Sequence, residues 1–226
     1  MDQRFQRTEM MLGKEAMERL NKSHVAIFGI GGVGGYVLEA LVRSGVGDFT
    51  IIDNDVVDIT NINRQIIALD NNIGKLKVDV AKERAISINP QVEVFTKPLF
   101  INEDTINEID FNQFDYVIDA IDFVKGKVAI IAKAKEFDKP IISSMGAGNK
   151  MNPMGFIIAD INKTEVDPLA KAVRYRLRQL GINKVKVAYS KEQPVKSNYD
   201  VPMSNSFVPP AMGLLIASEV IKELIK

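Results

Sequence analysis

The chain of 226 residues contains no cysteine. That excludes a disulfide, a thiolate zinc site and a cysteine nucleophile built from its own residues. It has one histidine, His24, at the start of an apolar run, where it reads as structural, so no histidine base is expected. Net charge is missing too. The 29 basic and 29 acidic residues cancel, so any surface that attracts nucleic acid must be local. No stretch reaches the roughly 20 apolar residues of a membrane span. The most apolar late run, FVPPAMGLLIA, is broken by two prolines and reads as a buried C-terminal helix. The N-terminus, MDQRFQRTEM, is too polar for a secretory signal. The expectation is a cytoplasmic protein without a membrane span. There is no internal repeat and no low-complexity tract. A composition of 46% hydrophobic and 26% charged residues is ordinary for a globular chain, of a length suited to one large α/β domain or a domain with an appendage.

What is present in unusual density is glycine at one place. In VAIFGIGGVGGY, from Val25 to Tyr36, an apolar run meets five glycines in seven positions. Glycine costs entropy on folding, so such a cluster implies a tight turn, close approach to a ligand, or both. Gly29, Gly31 and Gly34 fit G-x-G-x-x-G, the turn that brings a helix N-terminus up to a phosphate.

Around this turn the chain alternates strand and helix. Strands are expected at 24–28, 49–52, 92–96, 116–118, 140–143, 156–160 and 184–189. Helices are expected at 13–21, 33–44, 75–88, 124–137, 168–180 and 210–225. Gly45 ends the first long helix and Asn89-Pro90 stops the next. Strands alternating with helices of this length argue a doubly wound, mostly parallel, Rossmann-like sheet, with a C-terminal α/β extension. The character changes at Met145, so residues 1–144 read as a nucleotide-binding core and 145–226 as an extension on the substrate side of a single domain.

Asp53 lies 19 residues past Gly34 at the end of the second strand, where a dinucleotide site wants an acid for ribose hydroxyls. The next loop, TNINRQ, holds Asn61, Arg64 and Gln65, and GKLK places Lys77 at the opening of a helix. A nicotinamide site needs one cation at most, for a 2′-phosphate. Two cations converging on the glycine turn suit a triphosphate. DAID then sets Asp119 and Asp122 at the C-terminal end of a later strand, the edge where open sheets bind ligands. Asp119 could as easily cap a loop. Asp122 is better placed as a magnesium partner, because that metal takes one or two carboxylates plus phosphate oxygens.

The segments GIGGVGGYVLEALVRSGVG, IIDNDVVDITNINRQ, GKLKVDVAKER and DYVIDAID resemble the ubiquitin-activating-enzyme-like (HesA/MoeB/ThiF) adenylyltransferase superfamily. Further segments, RFQRTEMMLG, SSMGAGNKMNP and NSFVPPAMGLLIASEVIKEL, resemble the branch that dehydrates threonylcarbamoyladenosine at position 37 of tRNA. The resemblance implies ATP and Mg2+ as cofactors and the attachment of AMP to a carboxylate. It implies that Gly29, Gly31, Gly32 and Gly34 form the phosphate turn and that Asp53 is the ribose acid. Asn61, Arg64, Gln65 and Lys77 become phosphate and adenylation contacts, and Asp122 the magnesium-associated acid. It also implies a homodimer in which Arg7 reaches the partner's ATP. On its own Arg7 is a charge in a flexible-looking arm. Accessory sulfur- or electron-transfer proteins are possible partners; DNA is not expected. Without a thiol, proximity supplies the nucleophile: an atom of the same modification attacks the activated carboxylate, and AMP leaves.

One clue to the substrate is independent of the resemblance. From Pro168 to Lys191 there are seven basic residues and no acid. Lys171, Arg174 and Arg178 fall on one helical face, which is either an ordinary solvated face or a contact for the tRNA backbone. A nicotinamide oxidoreductase and a silent scaffold share the glycine turn. The serious alternative is an adenylyltransferase for the C-terminus of a ubiquitin-like or sulfur-carrier protein, whose ATP half would look identical.

Overall fold

The computed structural model describes residues 2–196, 198–199 and 201–226. Seven strands form one sheet: β1 (His24–Phe28), β2 (Asp48–Ile52), β3 (Glu93–Lys97), β4 (Tyr116–Asp119), β5 (Ile141–Ser144), β6 (Phe156–Asp160) and β7 (Lys186–Ser190). Their order is β3-β2-β1-β4-β5-β7-β6. Every pairing is parallel except β6 with β7. The helices are α1 (Gln6–Leu12), α2 (Lys14–Lys22), α3 (Gly34–Arg43), α4 (Lys77–Ile88), α5 (Val124–Glu136), α6 (Pro168–Gln179) and α7 (Val208–Leu224).

Both faces of the sheet are buried, as parallel sheets require. Period-two alternation sorts the strand residues. Val25, Ile27, Phe49, Ile51 and Ile118 face the core beneath α2, α3, α4 and α7. Ala26, Phe28, Ile52, Val117 and Val187 face the core beneath α5 and α6. Each fully buried aliphatic or aromatic side chain contributes about 1.5–3 kcal/mol. The C-terminal helix returns against α3, and Gly213 permits it: a Cβ there would sit 2.5 Å from the carbonyl oxygen of Val33.

The N-terminal segment differs from the flexible-looking arm suggested by its polarity. Residues Gln6–Leu12 are helical. Phe5 and Leu12 pack against the core, and the Phe5 ring lies over Gly45. Two apolar anchors in an otherwise polar stretch are enough to order it. His24 is structural: its Nε2 lies 2.9 Å from Thr50 Oγ1, and its ring contacts Phe95 and Phe114. At the opposite end of the sheet from the glycine turn, Lys186 pairs with Glu219 at 2.7 Å and with Glu223, which also accepts from Tyr116. Burial and the Glu223 carboxylate push the Tyr116 hydroxyl well above its ordinary value. None of the described helices is long and apolar enough to cross a membrane.

Candidate nucleotide and substrate site

The strand order reverses between β1 and β4, and an open α/β sheet binds ligands outside the strand ends at such a point. The glycine turn lies there. Gly29 has φ +89°, and its N–H donates to Ile52 O at 2.8 Å. A Cβ on Gly34 would lie 1.8 Å from Gly29 O, so the turn can close only on hydrogen. The N-cap of α3, Val33, offers no side-chain acceptor; Gly35 N–H bonds back to Gly31 O and Tyr36 N–H to Val33 O, so among the first amides of the helix that of Gly34 is left for a ligand.

Asp53 braces this turn from the end of β2. Its Oδ2 accepts from Ile30 N–H at 2.7 Å and its Oδ1 from Asp55 N–H at 2.8 Å. Burial pushes the Asp53 carboxyl up; the Lys77 ammonium and the two N–H donors oppose this, and the Asp55 charge adds to it. With a raised pKa in the folded protein, Asp53 contributes stability at acid pH that is lost as pH rises through that value. If a ribose hydroxyl donates to the ionised form, protonation of Asp53 opposes binding, and affinity for adenosine, which carries no titrating phosphate, is expected to fall as pH drops below neutral. Calorimetric titration checks this against Asp53→Asn. A wild-type affinity that does not change with pH would remove Asp53 from the ribose contact.

Of the cations predicted from sequence, Arg64 lies against the turn and Lys77 beside the acids that follow β2. Lys77 is only 5% exposed, and its Nζ lies 2.7 Å from Asp55 Oδ2. Arg64 lies along the turn, with its Cγ 3.4 Å from where a Cβ on Gly32 would be. Its Nη1 donates to Thr60 O at 2.9 Å and Asn63 Oδ1 at 3.0 Å. Gln65 is buried, its Nε2 is 3.8 Å from the Cβ position of Gly31, and its Oε1 has no partner. Asn61 is buried and its Oδ1 takes the N–H of Asp58, so it shapes the loop that carries Arg64 and Gln65. An open glycine cradle and nearby cations fit a nucleotide phosphate, whereas the orphaned Gln65 oxygen, an acceptor, fits a donor group of a ligand.

Asp119 and Asp122 have different environments. Asp119 is fully buried, 3.1 Å from Lys127 Nζ, and accepts from Ser143 Oγ at 2.5 Å. Lys127 also donates to Ser144 O at 2.7 Å, so this pair ties β4 to β5. Asp122 is exposed, and among the described residues its carboxylate has no ion pair or hydrogen bond. It follows Ala120 and Ile121, both packed against Gly29.

The chain returns across this edge before α7. Met203 and Asn149 exchange backbone and side-chain bonds, each 2.8 Å. Asn205 Nδ2 donates to Lys150 O at 3.0 Å, and Ser204 O accepts from Asn63 Nδ2 at 3.2 Å. Pro209, in the first turn of α7, then abuts Gly32.

Two groups of predicted residues stand apart. Arg7 is exposed on α1, and its neighbour Phe5 packs at Gly45. Gly45 is at the far end of α3, about 15 Å from the glycine turn at 1.5 Å per residue. On α6, the basic face is split. Lys171 is exposed, but Arg174 is half-buried and donates to Thr164 O at 2.8 Å, to Thr164 Oγ1 and to Ile161 O. Arg178 leans on Asn162 Oδ1 at 3.0 Å. Arg174 therefore braces its own loop, because short carbonyl-rich turns beside a helix attract a guanidinium. Sequence reasoning missed Asp55, Lys127 and Lys150. Asp55 had a visible signal, an acid two residues after Asp53; Lys127 and Lys150 looked like surface charges.

A Rossmann-like sheet with this phosphate turn and paired cations defines an ATP-site architecture of the adenylating kind. The chain matches the ThiF family over residues 5–226 and belongs to it. It is 44% identical over 240 aligned residues to the Bacillus subtilis tRNA threonylcarbamoyladenosine dehydratase, covering 98% of this chain and 94% of that protein. The crystal structure of the Escherichia coli tRNA N6-threonylcarbamoyladenosine dehydratase with ATP superposes with a TM-score of 0.94 at 35% identity, covering 99% of this chain and 94% of that one. The AMP complex of the same enzyme gives the same values.

Proposed function

We propose that this chain uses ATP to dehydrate threonylcarbamoyladenosine at position 37 of tRNA, by adenylating the threonyl carboxylate. Its similarity to enzymes of that name supports the reading. The observation that carries it is that Arg64 and Gln65 lie against the glycine turn and Lys77 beside Asp55, near the brace Asp53, with Asp122 unpaired among the described residues at the same sheet edge. The carboxylate attacks the α-phosphorus of ATP and pyrophosphate leaves. An atom of the same side chain then attacks the activated carbonyl carbon and AMP leaves, so the net change is loss of one water from the nucleoside.

The amides of the glycine turn cradle the phosphates, and Asp53 holds the ribose. Lys77 and Arg64 offset charge on the α-phosphate and the leaving pyrophosphate. Among the described residues no three acidic, histidine or cysteine side chains converge as a metal cage. A magnesium ion would therefore be held by Asp122 together with phosphate oxygens, where it neutralises phosphate charge. Residues 145–226 supply the substrate side, and the exposed Lys171 and Arg178 offer contacts to RNA phosphates. The test is mass analysis of nucleosides from tRNA incubated with the protein, ATP and magnesium. Conversion with AMP release is expected. An unchanged nucleoside, with AMP formed only when a ubiquitin-like protein is added, would overturn the reading in favour of a protein-activating enzyme.

The position of Arg7, a helix length from its own glycine turn, supports a homodimer in which each Arg7 completes the partner's site. Arg7→Ala and Asp122→Asn are each expected to lose at least about 100-fold in AMP formation, in line with the removal of a charged contact to the reacting phosphates. Mixed under subunit exchange, the two inactive variants should regain activity, because one hybrid site holds both residues. A mixture that stays inactive after exchange is confirmed by mass spectrometry would place Arg7 outside the site.

A further inference from the structure

Lys150 is a buried lysine whose ammonium is held by one long ion pair and no hydrogen bond among the described residues. Its side chain is 2% exposed, and the nearest carboxylate oxygen, Asp167 Oδ2, is 3.8 Å from its Nζ. That carboxylate is already engaged. Oδ2 takes Gly146 N–H and Oδ1 takes Ala170 N–H, both at 3.0 Å, which caps α6 and holds the exit of β5. A buried lysine carries three donors and is retained only where something accepts from them.

The backbone on both sides is held in unusual conformations to place this pair. Val166, just before Asp167, has φ +69°, and Asp167 N–H donates back to Glu165 O at 2.8 Å, a γ-turn that a β-branched residue rarely adopts. Asn149, just before Lys150, has φ +58°.

The unmet polar atoms lie along the same connected path. Among the described residues, the buried side-chain oxygens without a hydrogen-bond partner are Gln65 Oε1 and Ser204 Oγ. Lys150 O is bonded to Asn205, the neighbour of Ser204; Ser204 O is bonded to Asn63, and Asn63 Oδ1 to Arg64, the neighbour of Gln65. One run of the site edge, from the phosphate loop to the exit of β5, thus holds a loosely paired ammonium, an unmet hydroxyl and an unmet amide oxygen. Gln65 lies beside the glycine turn. Lys150 and Ser204 lie farther along the path, in the 145–226 segment.

We propose that Lys150 and Ser204 form the subsite for the acyl side chain of the substrate, with the Lys150 ammonium taking a carbonyl or carboxylate oxygen of the threonylcarbamoyl group. The inference rests on the tRNA reading above and adds how the modified base is told from an unmodified one. An unmodified adenosine leaves the hydroxyl unpaired and the ammonium with its long ion pair alone, and sites built to bond a substrate group reject analogues that lack it. Arg64 and Lys77 serve the phosphates; Lys150 serves recognition.

The experiment compares binding of two anticodon stem-loop RNAs, with and without the threonylcarbamoyl group, to the full chain. Wild-type protein is expected to prefer the modified RNA by at least tenfold. Lys150→Met, which keeps the side-chain length, should lose that preference while ATP affinity stays within about twofold, because it leaves the phosphate contacts in place. Ser204→Ala should lower the preference severalfold, and it decides the question by the same comparison if Lys150→Met does not fold. A preference kept in the folded variants would overturn the subsite. A wild-type protein without any preference or conversion would overturn the tRNA reading and this inference with it, and that failure shows before any variant is made.

Discussion

Replacing Lys77 by Met is expected to lower AMP and pyrophosphate formation by about 10²–10³-fold, the usual loss when one preorganised group facing developing charge is removed. Lys77 is the most enclosed cation at the glycine turn, and Asp55 holds its ammonium at 2.7 Å. The fold should survive. The Asp55 side chain is 58% exposed, so water replaces its lost partner. The expected pattern is a near-normal melting temperature with turnover lost at saturating ATP, read by pyrophosphate release. Lys77→Arg should not rescue, because the larger planar guanidinium must enter a site fitted to a compact ammonium. Turnover within a few-fold of wild type in Lys77→Met would remove the lysine from the chemistry and leave it as a brace for Asp55.

The largest effect on stability is expected at the buried pair between β4 and β5. Lys127→Met strands the Asp119 carboxylate at 0% exposure, with Ser143 Oγ and the Ile121 N–H as remaining donors. Removing one member of such a pair costs about 3–5 kcal/mol. For a chain of this size that lowers the melting temperature on the order of 10 °C. The double variant Lys127→Met/Asp119→Leu should recover much of the loss, because it leaves no charge behind and apolar replacement of a buried pair is often neutral. Thermal unfolding of the two variants checks this. A double variant no more stable than the single one would mean that the strand ends are tied by the Lys127 bond to Ser144 O rather than by the charge pair.

The two lysines show why one was legible in the sequence and the other was not. Lys77 opens a helix a short way past a glycine turn and the acid that ends β2, and that spacing is itself the signal. Lys127 sits in VKGK and reads as one charge on an ordinary helix face. Its burial follows from Gly126, which lets α5 approach so closely that a Cβ there would meet Ile101 O at 2.7 Å. Arg174 erred in the opposite direction. Helical spacing placed it correctly on a face with Lys171 and Arg178, but spacing carries no information about the carbonyls of residues 161–164 that occupy it.

By itself, the sequence determined the alternation of strands and helices, the glycine turn, the acid at the end of β2, 19 residues past Gly34, and the exclusion of thiol chemistry. These are local properties: periodicity, turn chemistry and composition act over a few residues or one βαβ unit. The tertiary structure alone decided that β6 runs antiparallel to β7, since the alternation of buried and exposed residues is the same in either direction. It alone decided that Asp119 is a brace while Asp122 is unpaired among the described residues, that the segment carrying Arg7 packs at the far end of α3, and that Lys150 is buried facing an engaged carboxylate. Each of these depends on which distant segments meet. The energy of a charge depends on its burial and its partner, and neither exists until the chain has closed on itself.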